Sequence, residues 1–136
     1  MSLMPWDAQA FDVLVPAMNA QHERLVAIMN TLYDRHGAGA SKQELNSLLV
    51  QLRDATVQHF ADEERFFDSV GFPGAAAHKR IHQKLVADFV RHYEAFAAGD
   101  GSLSKEFFNF LKLWLSAHIQ HIDRKYGEHS AHQGAA

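Results

Sequence analysis

Apolar residues recur along the chain at three- and four-residue intervals, the helical period, and no stretch sustains the alternation of a strand. The pattern predicts four helices. The first starts near Pro16, since proline is tolerated in a first turn. It carries the stripe Met18, His22, Leu25, Met29 and Leu32 and stops near His36-Gly37-Ala38-Gly39, where glycine supplies the terminus. The second opens on Ser41-Lys42-Gln43-Glu44, a capping-box pattern in which Ser41 and Glu44 each satisfy a free backbone N–H. Its stripe is Leu45, Leu48, Leu52, Ala55, His59, Glu63, Phe66 and Val70, and Gly71 and Pro73 end it. The third places His78, His82, Leu85, Phe89, Tyr93 and Phe96 on one side; Gly99-Asp100-Gly101-Ser102 is a turn; the fourth carries Phe107, Leu111, Trp114, His118 and Ile122. Residues 1–15 read as an N-terminal arm with Trp6, Phe11, Val13 and Leu14 available to pack on the core, and residues 127–136 as a small, polar, frayed tail. Helices of about 20–30 residues with short connections give an all-α fold: an up-down-up-down antiparallel four-helix bundle over residues 16–126.

Composition narrows this further. At 136 residues the chain is one domain, 1–136, and 47% hydrophobic content excludes a disordered polymer. The net charge of −3, with no basic run, speaks against a nucleic-acid partner. No apolar run approaches the roughly 18 residues of a membrane span, so no membrane association is expected. No basic segment leads into a hydrophobic one at the N-terminus, so the expectation is a cytoplasmic protein. The absence of cysteine removes disulfides, thiolate metal sites, iron–sulfur clusters and cysteine nucleophiles together.

Ten histidines change the picture. A bundle core should be apolar, and an unpaired buried imidazole or carboxylate is costly. Yet every helix puts a ligand-type residue in its stripe: His22 on the first; His59 and Glu63, four apart, on the second; His78 and His82, also four apart, on the third; His118 on the fourth, with Asp123 just beyond. A lone core histidine is more often a hydrogen-bonded structural residue than a ligand. Seven such residues converging from four helices, with no comparable set of buried cations, are explained together by metal. His36 and His92 lie at a turn and on a flank; His121, three residues from His118, is a competitor for its place but is expected at the edge of the stripe, and His129 and His132 in the tail offer at most weak adventitious metal binding.

Five imidazoles and two carboxylates without thiolate suit iron, and manganese or zinc less well. The set is too large for one ion. Two ions sharing both carboxylates would draw nine bonds from it, and a bridging oxygen derived from water would add two, against about twelve for two octahedra. One position is left, where an exogenous small molecule would bind.

The set His22, His59-x-x-x-Glu63, His78-x-x-x-His82, His118-x-x-x-x-Asp123 resembles the hemerythrins, in particular the bacterial single-domain ones, over nearly the whole chain. The resemblance implies that His78, His82 and His118 hold one iron, and that His22 and His59 hold the other, which keeps the open position. Glu63 and Asp123 would bridge the pair, with an oxo or hydroxo oxygen between them. The implied function is reversible O₂ binding for storage, delivery or sensing, a sensor needing a separate signalling partner. In the family, residues such as Leu25, Phe60, Trp114, Leu115 and Ile119 wall the oxygen pocket; taken singly, each reads as ordinary core.

Two departures stand out. The family usually has Asp three residues before the first ligand histidine, where this chain has Asn19. His118 and Asp123 are five apart, about 140° on an ideal α-helix, so the fourth helix is expected to widen locally, π-like, or to fray so that Asp123 turns inward. The alternative function is a di-iron or di-manganese oxidase or peroxidase on the same ligands. Such carboxylate enzymes resemble instead a pattern of four carboxylates and two histidines with E-x-x-H, which is missing among these ligands. A plain helical interaction module is the third reading, and two tightly bound metals per chain would exclude it.

Overall fold

The computed structural model describes residues 3–135, with side chains to Ala131. Helix α1 spans Pro16–Gly37, α2 Lys42–Val70 and α3 Ala75–Ala98; α4 (Lys105–Leu113), a π-helical segment (Trp114–Asp123) and α5 (Arg124–Ala135) run on as the fourth rod. Connections of a few residues force neighbouring rods antiparallel, giving the expected four-helix bundle. Among the described residues no helix is long and apolar enough to cross a membrane.

Local chemistry sets the boundaries. Pro16 begins α1 without a side-chain cap. Ser41 Oγ accepts the Glu44 N–H at 3.1 Å, half of the expected capping box; the Glu44 carboxylate reaches across to Arg35 at 2.7 Å. Gly71, at φ 62°, closes α2 in the left-handed conformation that glycine adopts without a Cβ penalty. Ser104 caps α4 through the Phe107 N–H.

The core holds Leu25, Met29 and Leu32 of α1, Leu45, Leu49, Leu52 and Phe67 of α2, and Phe89 and Phe96 of α3, with Phe107, Leu111, Leu115 and Ile119 of the fourth rod. On α2 the expected Leu48, Ala55, Phe66 and Val70 are half-buried, and Leu49 and Phe67 take the interior. On α3, Leu85 and Tyr93 sit at its margin. The fourth rod differs more. The expected Ile122 is half-buried, and Asp123 is buried instead. A π-helix closes each turn over one more residue than an α-helix, so the inward face passes from His118 to the residue five on rather than four on.

The arm packs as expected through Phe11 and Val13, with Trp6 half-buried against Phe11, and Met4 joins the core. Leu14 corrects the expectation: it is 40% exposed, at φ 67°. Asn30 ties down Met4 by accepting its N–H and donating to its carbonyl. Asn19 accepts the Val13 N–H at 2.9 Å and donates to Asp12. The arm crosses the fourth rod at the buried Gly127, where a Cβ would collide with the Val13 carbonyl. The backbone expected to fray continues as helix to Ala135.

Candidate metal centre

Among the described residues, the buried imidazole and acidic side chains are His22, His59, Glu63, His78, His82, His118 and Asp123, the seven singled out above. The bundle brings all of them to one place. α1 supplies His22; α2 supplies His59 and Glu63, one turn apart; α3 supplies His78 and His82; the π-helical segment supplies His118 and Asp123.

Both carboxylates straddle the cluster. Glu63 Oε1 lies 3.1 Å from His82 Nε2, and Oε2 lies 3.4 Å from both His22 and His59 Nε2. Asp123 Oδ1 lies 2.9 Å from His78 Nε2 and 2.8 Å from His118 Nε2, and Oδ2 lies 3.0 Å from His22 Nε2. Each acid thus turns one oxygen to the three-histidine group and the other to the two-histidine group. Two sets of converging donors result, each with ligand atoms within 4.8 Å of one another: Glu63, His78, His82, His118 and Asp123; and His22, His59, Glu63 and Asp123.

This arrangement fits metal better than hydrogen bonding. Glu63 Oε1, Asp123 Oδ1, His82 Nε2 and both ring nitrogens of His22 are buried and make no hydrogen bond. One ligand atom from each residue, Nε2 in the case of His22, belongs to a converging donor set. A metal about 2.1 Å from each nitrogen leaves adjacent donors about 3 Å apart, and the His78 and His118 Nε2 atoms face each other at 3.2 Å. The ion-pairing partners of both acids are histidines. Two carboxylates removed from water without Lys or Arg cost several kcal/mol each unless other positive charge is present.

The same crowding perturbs ionisation without metal. Burial alone would lower the His22 pKa, but the Asp123 and Glu63 carboxylates outweigh it and push it up to about 9. His82 is raised too, burial again being outweighed by Glu63 and Glu64. Burial opposes ionisation of Glu63 and Asp123, yet the surrounding histidines hold both below the usual carboxylate range.

A second layer orients the rings. His59 Nδ1 lies 2.5 Å from Gln21 Oε1, and His82 Nδ1 lies 3.1 Å from Glu64 Oε2. Phe60 stacks on His82 at 3.8 Å between centroids and 6° between planes. Tyr126, fully buried, donates its hydroxyl to Glu63 Oε2 at 2.6 Å. Burial and the two acids raise the Tyr126 pKa, so it keeps its proton. Sequence reasoning missed Gln21, Glu64 and Tyr126. The available signals were adjacency to a ligand for the first two and helical spacing from Asp123 for the third.

Leu25, Phe60, Trp114, Leu115 and Ile119 are all buried; Phe60 lies against His59, His82 and His118 and is edge-on to Trp114 at 5.8 Å, and Leu25 lines a depression with His59. Asn19 serves the arm through Val13 and Asp12. Of the other histidines, His36 Nε2 accepts the Leu103 N–H, His92 packs on Phe107 and Phe110, His121 is exposed, and His129 Nε2 lies 3.1 Å from the Val70 carbonyl. The side chain of His132 lies outside the described residues.

Comparison with known proteins agrees with this geometry. Residues 13–129 match the model of the hemerythrin HHE cation binding domain. The bacteriohemerythrin of Methylococcus capsulatus is 33% identical over 127 residues, covering 93% of this chain and 96% of that protein. A hemerythrin-like protein of Naegleria gruberi is 35% identical over 121 residues, covering 89% and 88%. A crystal structure of wild-type hemerythrin superposes with a TM-score of 0.85 at 32% identity, covering 93% of this chain and 97% of that one. A helical bundle with this buried donor set, matched over nearly its whole length, belongs to the hemerythrin family.

Proposed function

We propose that this chain binds O₂ reversibly at a pair of iron ions, for storage, delivery or sensing, in the cytoplasm. The observation that carries the reading is the straddling of Glu63 and Asp123. An acid that served one ion, or one hydrogen bond, would not turn its two oxygens to different histidine groups. On this reading His78, His82 and His118 hold one ion, His22 and His59 hold the other, and Glu63 and Asp123 bridge them. The two-histidine side supplies one nitrogen fewer, so O₂ would be taken up there.

An iron pair of this kind supplies reversible O₂ binding, with one electron contributed by each ion. The protein's own residues support binding over turnover. Leu25, Phe60, Trp114, Leu115 and Ile119 wall the cluster with apolar surface. That surface would keep water and free protons out of the site. Tyr126 keeps its proton and holds Glu63 Oε2, so it steadies a bridging acid rather than delivering a proton to the pocket. Every buried histidine and acid among the described residues belongs to one of the two donor sets, and none is left over as a general acid.

The test is cycling. Iron-loaded, reduced protein exposed alternately to air and argon should gain and lose one O₂ per chain through repeated cycles, without product. Steady consumption of added hydrogen peroxide with an electron donor would instead make it a peroxidase.

A further inference from the structure

The two halves of the site are backed by different chemistry. On α3, His82 Nδ1 faces a carboxylate, Glu64 Oε2, at 3.1 Å. On α2, His59 Nδ1 faces an amide oxygen, Gln21 Oε1, at 2.5 Å. The amide orientation is fixed, because Gln21 Nε2 donates to Asp62 Oδ2 at 3.1 Å. The Asp62 charge is itself engaged by Arg65 and by the Gln58 amide. With an ion bound, both rings would donate from Nδ1 to these oxygens and turn the Nε2 lone pair inward, but only His82 faces a carboxylate there.

A carboxylate accepting the ring N–H draws the proton outward and makes the opposite nitrogen a stronger donor, and such partners are typically worth tenfold to a hundredfold in metal affinity. A neutral amide does this less. We infer that Glu64 and Gln21 make the halves unequal, so that the three-histidine half takes the first ion and the two-histidine half the second. The inference rests on the two-ion reading above. Donor number points the same way, three imidazoles against two. Glu64 is a positioning residue: it acts on the metal through His82. Its side chain is a third exposed and borders an open groove, and Gln21 borders a separate depression beside His59. Either can be exchanged without opening the core.

The experiment titrates metal-free protein with Co(II) alone, read by calorimetry and by the visible cobalt bands. The unmodified chain should bind two ions in two resolved steps. Glu64→Gln should weaken the first step by about tenfold to a hundredfold and leave the second within about threefold. Gln21→Glu, on a different helix and made in an Asp62→Asn background so that the new carboxylate does not face the Asp62 charge, should tighten the second step. In the Gln21→Glu/Glu64→Gln double variant the two steps should lie closer together than in the unmodified protein, and the spectrum after one equivalent should contain more of the two-histidine half; a merely structural defect would not shift the spectrum this way, and an unchanged spectrum would overturn the inference. Two bound ions with both steps unchanged in Glu64→Gln, both steps weakened equally, or no tightening in Gln21→Glu would overturn the inference alone. One ion or none in the unmodified chain would overturn the two-ion reading with it.

Discussion

The Tyr126 hydroxyl donates to Glu63 Oε2 at 2.6 Å, in a position where neither side chain meets solvent. A hydrogen bond to a charged group contributes about 1.5–3 kcal/mol. Tyr126→Phe keeps the ring packed on Phe66 and Phe67 and removes only the donor. The variant should lose about 2 kcal/mol in urea denaturation of the metal-free protein. Unchanged stability would mean that Glu63 finds its charge compensation elsewhere.

The metal-free protein should also show a specific pH dependence. The His22 pKa is raised from 6.5 to about 9 in the folded state. Its contribution to stability is therefore complete below pH 6.5 and is lost as pH rises through 9. It amounts to about 3 kcal/mol at most. Glu63 and Asp123 are shifted the other way, so theirs is present above their ordinary pKa values of 4.5 and 3.8 and is lost in acid. Urea midpoints should be highest between pH 5 and 6.5 and fall towards pH 9. A midpoint that is flat or rising from pH 6.5 to 9 would contradict the assignment. Because a metal at His22 must displace this proton, metal uptake at pH 7 should release protons, measurable as a buffer-dependent binding enthalpy.

Gly127 lets the arm lie against the fourth rod. Alanine there would place a Cβ against the Val13 carbonyl, and backbone cannot yield as a flexible side chain can. Gly127→Ala should cost about 1–3 kcal/mol and expose the arm. Limited proteolysis would then cut between residues 4 and 14 faster than in the unmodified protein; equal rates would show that the arm is held without this contact.

The π-helical segment yields a prediction of its own. His118 and Asp123 share a face because the intervening turn holds one residue more than an α-turn. Deleting the exposed His121 should bring the spacing to four, relax the segment to α-helix and leave both side chains inward. Two ions per chain should then still bind. Loss of one or both would show that the π geometry itself, rather than the inward face, is what the site requires.

How much of this was legible in the chain follows from which interactions are local. The bundle could be read because its stripes repeat at the helical period, and His59/Glu63 and His78/His82 could be paired because residues four apart share a face whatever surrounds them. Asp123 was recoverable only as a conflict: its spacing from His118 did not fit a regular helix, and the α period put Ile122 inside instead. On α2 the exchange of Leu48 and Phe66 for Leu49 and Phe67 is a rotation of one residue, which tertiary packing decides. Gln21, Glu64 and Tyr126 were not legible, because each meets its partner, His59, His82 or Glu63, across a helix boundary. Asn19 reads as a departure near the first ligand, whereas its side chain ties α1 to the arm through Val13 and Asp12.

The central claim is that two ions lie side by side between Glu63 and Asp123. Crystals of the iron-loaded protein, measured on either side of the iron absorption edge, test it most directly. Two anomalous peaks per chain are expected, one among His78, His82 and His118 and one beside His22 and His59, with an oxygen of each acid directed at each peak. A single peak, or none, with either acid turned away from the histidines, would contradict it.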